Sequence, residues 1–139
     1  MINRVQKLIS EYFEMEVGQY VDNYLDILEF ANDELVLRLR RKALKHIVEQ
    51  RKSDNYTQDK VLRLFKDLQI NIDRKTYKIV PNTNKQANSL LFVEDREISS
   101  QEEGVVIALE IIEIEKNIFF VKTGFYRSIS KIKKLLKQK

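Results

Sequence analysis

The chain has no cysteine and no tryptophan, and only one histidine, one proline and three glycines among its 139 residues. Each scarcity excludes something. Without cysteine there is no disulfide framework, no thiolate metal ligand and no thiol nucleophile, which predicts a cytoplasmic or redox-indifferent protein. With so few breakers there is no long flexible linker, and isolated glycines cannot build the phosphate loops of Walker or dinucleotide type. One histidine, with no carboxylate pair at ligand spacing, predicts no metal and no cofactor. A Ser-His-Asp hydrolase is disfavoured because no nucleophile elbow is present. The opening Met1-Ile2-Asn3-Arg4-Val5-Gln6-Lys7 turns charged too soon for a secretory leader. No run approaches the ~20 apolar residues of a membrane span, so no membrane partner is expected.

What the chain has is segregated charge. The formal net charge is +4 and the pI about 9.2. From Lys116 onward there are eight lysines or arginines and no acid. A second basic cluster runs through Arg38, Arg40, Arg41, Lys42, Lys45, Arg51 and Lys52, while acids gather at Glu94-Asp95-Arg96-Glu97 and Glu102-Glu103. Lysine-rich faces are ordinarily just solvated, but two basic segments that converge suit a polyanionic partner.

Periodicity predicts one α+β domain spanning 1–139, with helices first and a β-meander after them. Ile2, Val5, Leu8, Ile9, Tyr12 and Phe13 mark a helix to about Glu16, and a second is expected from Gln19 to Phe30. Asn32-Asp33-Glu34 reads as the start of a third, from Asp33 to Lys52. On that helix Leu35, Val36, Leu37, Leu39, Ala43, Leu44, Ile47 and Val48 form an apolar arc, His46 falls at its seam, and Arg40 and Arg51 lie inside it. Those two arginines must snorkel, pair, or mark where the arc opens onto a cleft. A short helix from Thr57 to Leu68 follows. Strands are expected at Thr76–Val80, Ser89–Glu94, Gly104–Glu115 (with a bulge near Ile111-Ile112) and Ile118–Thr123. Glu115-Lys116-Asn117 turns the chain between the last two. A closing helix runs from Ser128 to Lys137.

With metal, thiol and cofactor chemistry disfavoured, metal-free acid–base chemistry remains. RNA cleavage through the 2′-hydroxyl needs a group to remove a proton, one to return it, and a cation for the phosphorane. Histidine ionises near neutrality and serves either proton role. His46 is the candidate acid/base, with Lys42 one turn away on the same face, Lys45 pointing elsewhere, and Arg51 nearby. An unremarkable boundary histidine is the plain alternative. The segment Lys122-Thr123-Gly124-Phe125-Tyr126-Arg127-Ser128 is the second candidate, offering a hydroxyl, a phenol and a guanidinium beside a glycine that permits close approach. Within it Ser128 also suits an N-cap and Tyr126 also suits a core. The polar stretch Asn82 to Asn88 is a weaker candidate for a substrate loop.

The segments Leu44-Lys45-His46-Ile47-Val48-Glu49-Gln50-Arg51 and Thr123-Gly124-Phe125-Tyr126 resemble phage-associated members of the barnase, EndoU, colicin and RelE-like (BECR) nuclease superfamily. The resemblance spans about 33–134. It implies N-terminal helices packed on a roughly four-stranded antiparallel sheet with a C-terminal helix, residues 1–31 being a helical extension. It also implies a toxin-like, metal-independent endoribonuclease acting on tRNA or mRNA, held in check by an immunity protein. By position, His46, Thr123 and Tyr126 become catalytic, with Arg51 or Lys42 as the basic partner; Lys42, Lys122, Arg127 and Ser128 are read from the residues themselves as binding substrate. The sequence departs from the EndoU-like pattern in lacking a second histidine. Two other classes stay open: a non-catalytic basic nucleic-acid-binding or adaptor protein, and a phage interaction protein assembling through Tyr12, Phe13, Tyr20 and Tyr24.

Overall fold

The computed structural model describes residues 1–21, 27–82, 89–96 and 103–137. The first helix, α1 (Ile2–Glu14), forms as its spacing predicts, with Val5, Leu8, Ile9 and Tyr12 buried along one stripe. It packs on two later helices and its buried residues belong to the main core.

The next two expectations need correction. No described residue of the expected helix from Gln19 to Phe30 is helical. Ile27–Ala31 is a strand, β1, Gln19 to Val21 is not helical, and 22–26, with Tyr24, lie outside the described residues. The expected helix from Asp33 to Lys52 is a strand followed by a shorter helix: β2 (Val36–Arg40) and α2 (Arg41–Ser53). The physical reason is legible afterwards. Leu28 and Phe30, then Leu35, Leu37 and Leu39, recur every second residue and are all buried, which is the period of a half-buried strand. Asn32 does accept from two backbone amides, those of Glu34 at 2.7 Å and Leu35 at 2.8 Å. It uses them to close a β-hairpin turn instead of starting a helix, because an Asx side chain satisfies free amides equally well in either setting. Arg40 lies on the outer side of β2, its guanidinium 3.5 Å from the centre of the Phe120 ring.

From there expectation and structure run together, except that the last strand continues past its expected end at Thr123 to Ser128. Helix α3 (Gln58–Arg74) is capped by Thr57, whose Oγ1 accepts from the Lys60 amide, and it outruns the expected end at Leu68 to bury Asn71 and Ile72. Then come β3 (Tyr77–Pro81), β4 (Ser89–Glu94), β5 (Glu103–Glu113), β6 (Ile118–Ser128) and α4 (Ile129–Leu136). Ser128 caps α4 through the Lys131 amide. The turn between β5 and β6 has Asn117 at φ 51°, a left-handed conformation that asparagine tolerates.

The class is α+β, but the sheet differs from the expected one. It has six strands in the order β1-β2-β6-β5-β4-β3. All pairs are antiparallel except β2 with β6, which run parallel over Val36–Arg38 and Ile118–Phe120. The β1–β2 hairpin is the added piece. Its leucines come from the stretches expected to be helical, so one misreading accounts for both the strand count and the parallel pair.

Two bulges shape the long β5–β6 ladder. Ile112 is the extra residue on β5, where one was expected, and Lys122 is the extra residue on β6. The second matters more. A bulge shifts the alternation of side chains by one position. Phe119 and Val121 point to the main core before it, and Gly124 and Tyr126 do so after it, leaving Thr123, Phe125 and Arg127 on the opposite face. The main core lies between this first face and helices α1, α2 and α3. The second face carries a smaller apolar cluster of Val80, Leu91, Val93 and Val106, covered by Ile132 of α4.

Candidate functional site

Helix α4 is too short to cover the second face. Between it and the C-terminal end of α2 lies a cleft of about 680 Å³. Its floor is the sheet, with Leu91, Val106, Ala108, Thr123 and Phe125. Gln50, Arg51 and Asp54 of α2 and its C-cap form one wall, and Lys131, Lys134 and Leu135 of α4 form the other, joined by Arg127 and Asn82. The arrangement follows from the topology. Strand β2 leaves the sheet after pairing with β6, and α2 then runs beside the freed part of β6. One cation of α2, Arg51, therefore meets the basic residues of β6 and α4 across one open sheet face.

Among the described residues, four cations line the cleft against one carboxylate, Asp54. Arg51 is only 8 % exposed. It contacts Asp54 at 3.3 Å and Gln50 at 3.5 Å, and its guanidinium lies 5.8 Å from the Tyr56 ring centre and 5.5 Å from that of Phe125. Among the described residues its Nε has no hydrogen-bond partner. Arg127 lies over Phe125 at 3.8 Å and donates to the Tyr126 carbonyl at 3.2 Å. Thr123 Oγ1 donates to Gln50 Oε1 at 2.9 Å, tying β6 to α2 across the cleft. So Arg51, Thr123 and Arg127, three of the residues singled out from the sequence, do meet.

The others do not join them. His46 is exposed and lines a separate depression of about 250 Å³ with Lys42, Lys45, Glu49 and residues 18–21, none of which lines the large cleft. Lys45 is buried there, its ammonium donating to the Glu16 carbonyl at 3.1 Å and to Glu49. That ammonium holds the Glu49 carboxyl below the usual carboxylate range. Tyr126 points the opposite way from its neighbours, into the core, and is 3 % exposed. Its hydroxyl donates to Asp67 Oδ2 at 2.6 Å and accepts from Arg63 Nε at 3.3 Å. Burial, together with the hydrogen bond to Asp67, pushes its phenol far above the ordinary range. Lys122 is exposed at the bulge, and Ser128 is occupied in capping α4. Gly124 is a close approach, though not to a ligand: a Cβ there would sit 2.6 Å from Ile107 Cδ1. Of the polar stretch considered as a substrate loop, Asn82 lines the cleft, while 83–88 lie outside the described residues.

Sequence reasoning missed Gln50, Lys131 and Lys134 as partners of Arg51 and Arg127. The signal available was parity. Thr123, Phe125 and Arg127 share one side of a strand, and Lys131 and Lys134 follow at helical spacing. Among the described residues there is no group of three histidine, aspartate or glutamate side chains placed to hold a metal, and no helix long and apolar enough to cross a membrane. No protein-family model, curated protein or solved structure matches the chain.

Proposed function

We propose that the domain binds single-stranded RNA in the cleft between α2 and α4. The observation that carries this reading is the meeting of Arg51, Arg127, Lys131 and Lys134 over an apolar sheet floor that includes a partly exposed aromatic ring, Phe125. Cations track a phosphate backbone, and apolar or aromatic floor takes unstacked bases, so the pair of features suits a single strand better than a duplex. RNA is the form to which the family resemblance points.

Binding of a fluorescent RNA oligonucleotide, followed by anisotropy across a salt series, tests it. Affinity is expected to fall steeply with salt. Neutralising Lys131 and Lys134 together to glutamine is expected to flatten the log–log slope by about 1.4, since each phosphate neutralised on a single strand contributes about 0.7. An unchanged slope in that variant, or no binding at low salt, sinks the proposal.

Cleavage is the second reading, favoured by the exposure of His46 beside Lys42. The imidazole and the cationic cleft are separate, so in this reading His46 acts without Thr123 and Tyr126. RNA degradation in EDTA that disappears in His46→Ala supports it, and degradation unaffected by that change removes His46 from the chemistry.

A further inference from the structure

Arg51 is the cation of the cleft whose charge is least compensated for its burial. A guanidinium held nine-tenths out of water needs its donors satisfied. Its carboxylate partner, Asp54, has a side chain 55 % exposed, where solvent screens the attraction. The contact to Gln50 is long, and that amide oxygen already accepts from Thr123. The Nε is buried with no hydrogen-bond partner among the described residues. Two aromatic rings, Tyr56 and Phe125, hold the guanidinium in place. A second guanidinium, Arg127, is stacked on the same Phe125 ring. A fixed, under-paired guanidinium beside a second one, lining a cleft of about 680 Å³, suits recognition of a phosphate through its terminal nitrogens.

We infer that Arg51 anchors a discrete phosphate subsite, so that a single nucleoside monophosphate suffices as a ligand. This rests on the RNA-binding reading of the same cleft and deepens it. Burial of Arg51 is then a cost to stability that the bound phosphate relieves. Replacing it with an apolar side chain of similar length removes the phosphate site without harming the fold, because an incompletely paired buried charge contributes little or negatively to stability.

The test is a thermal-shift and calorimetric titration of the full chain with adenosine 5′-monophosphate, inorganic phosphate and adenosine. Wild type is expected to be stabilised by the nucleotide and by phosphate and not by adenosine. Arg51→Met is expected to melt at or above the wild-type temperature and to lose the response. Arg51→Lys keeps the charge without the fork and is expected to bind the nucleotide about tenfold to a hundredfold more weakly, the range for losing a charged hydrogen bond. Any folded Arg51 variant that binds the nucleotide like wild type overturns the inference. So does stabilisation by adenosine equal to that by its phosphate. If wild type ignores the nucleotide yet binds an RNA oligomer, the subsite is refuted and the RNA reading stands. If it binds neither, both fall.

Discussion

The two faces of the sheet are made from the same strands and have opposite characters. On the face under α1, α2 and α3, the polar side chains around Tyr126 are closed on one another. Tyr126, Asp67 and Arg63 form a hydrogen-bonded set, and Phe30 stacks on Phe65 with ring centres 6.1 Å apart. On the face under α4, one eight-residue helix leaves a cleft lined by cations. Along β6 the two characters alternate: Thr123, Phe125 and Arg127 face the cleft, while Gly124 and Tyr126 face the core. Neighbours in sequence thus serve different purposes, and a motif read as one functional unit is divided by the pleat.

The contrast can be broken by substitution. The largest effect belongs to the closed face. Phe65→Ala, at a position with no exposure, should cost about 3–5 kcal/mol in denaturant unfolding, the usual range for emptying a phenylalanine site. Leu135→Ala on the half-covered face should cost clearly less. Next is Tyr126→Phe, which takes the hydrogen-bond donor from buried Asp67 and should cost about 1–3 kcal/mol. It also has a pH signature. The folded phenol keeps its proton longer than the unfolded one, so wild-type stability should be fully present below about pH 10 and decline above it. Tyr126→Phe should flatten that alkaline decline, and an equal decline in both proteins would refute the role given to this hydroxyl. Gly124→Ala comes third, at about 1 kcal/mol or more from overpacking against Ile107. Adding Ile107→Val removes the clashing methyl, so a double-mutant cycle should recover part of the stability. Smallest is the double change of Lys131 and Lys134 to glutamine, expected to move stability by no more than about 0.5 kcal/mol while weakening RNA binding. A large loss of stability there would mean that the cleft is structural.

Much of the fold was legible because its signals were local. The stripe of Val5, Leu8, Ile9 and Tyr12, the caps at Thr57 and Ser128, the turn at Asn117 and the bulge at Ile112 each follow from a few adjacent residues. The β1–β2 hairpin was misread because Leu35, Val36, Leu37 and Leu39 fit a helical arc nearly as well as a strand when joined to the true helix after Arg41. The parallel pairing of β2 with β6 joins positions some eighty residues apart, and no local pattern announces it. The site was legible in part for the same reason. Arg51 stood out as a cation in an apolar arc and does open onto a cleft. The face shown by Tyr126 depends on the bulged Lys122, a feature of strand pairing rather than of composition.

The most direct measurement is a residue-resolved NMR titration of the full chain with a short single-stranded RNA. Amide shifts are expected to concentrate on Gln50, Arg51, Thr123, Phe125, Lys131 and Lys134, with α1 and α3 silent. Shifts centred instead on Tyr20, Lys42 and His46, or spread over the face covered by α1 and α3, would contradict RNA binding in the cleft.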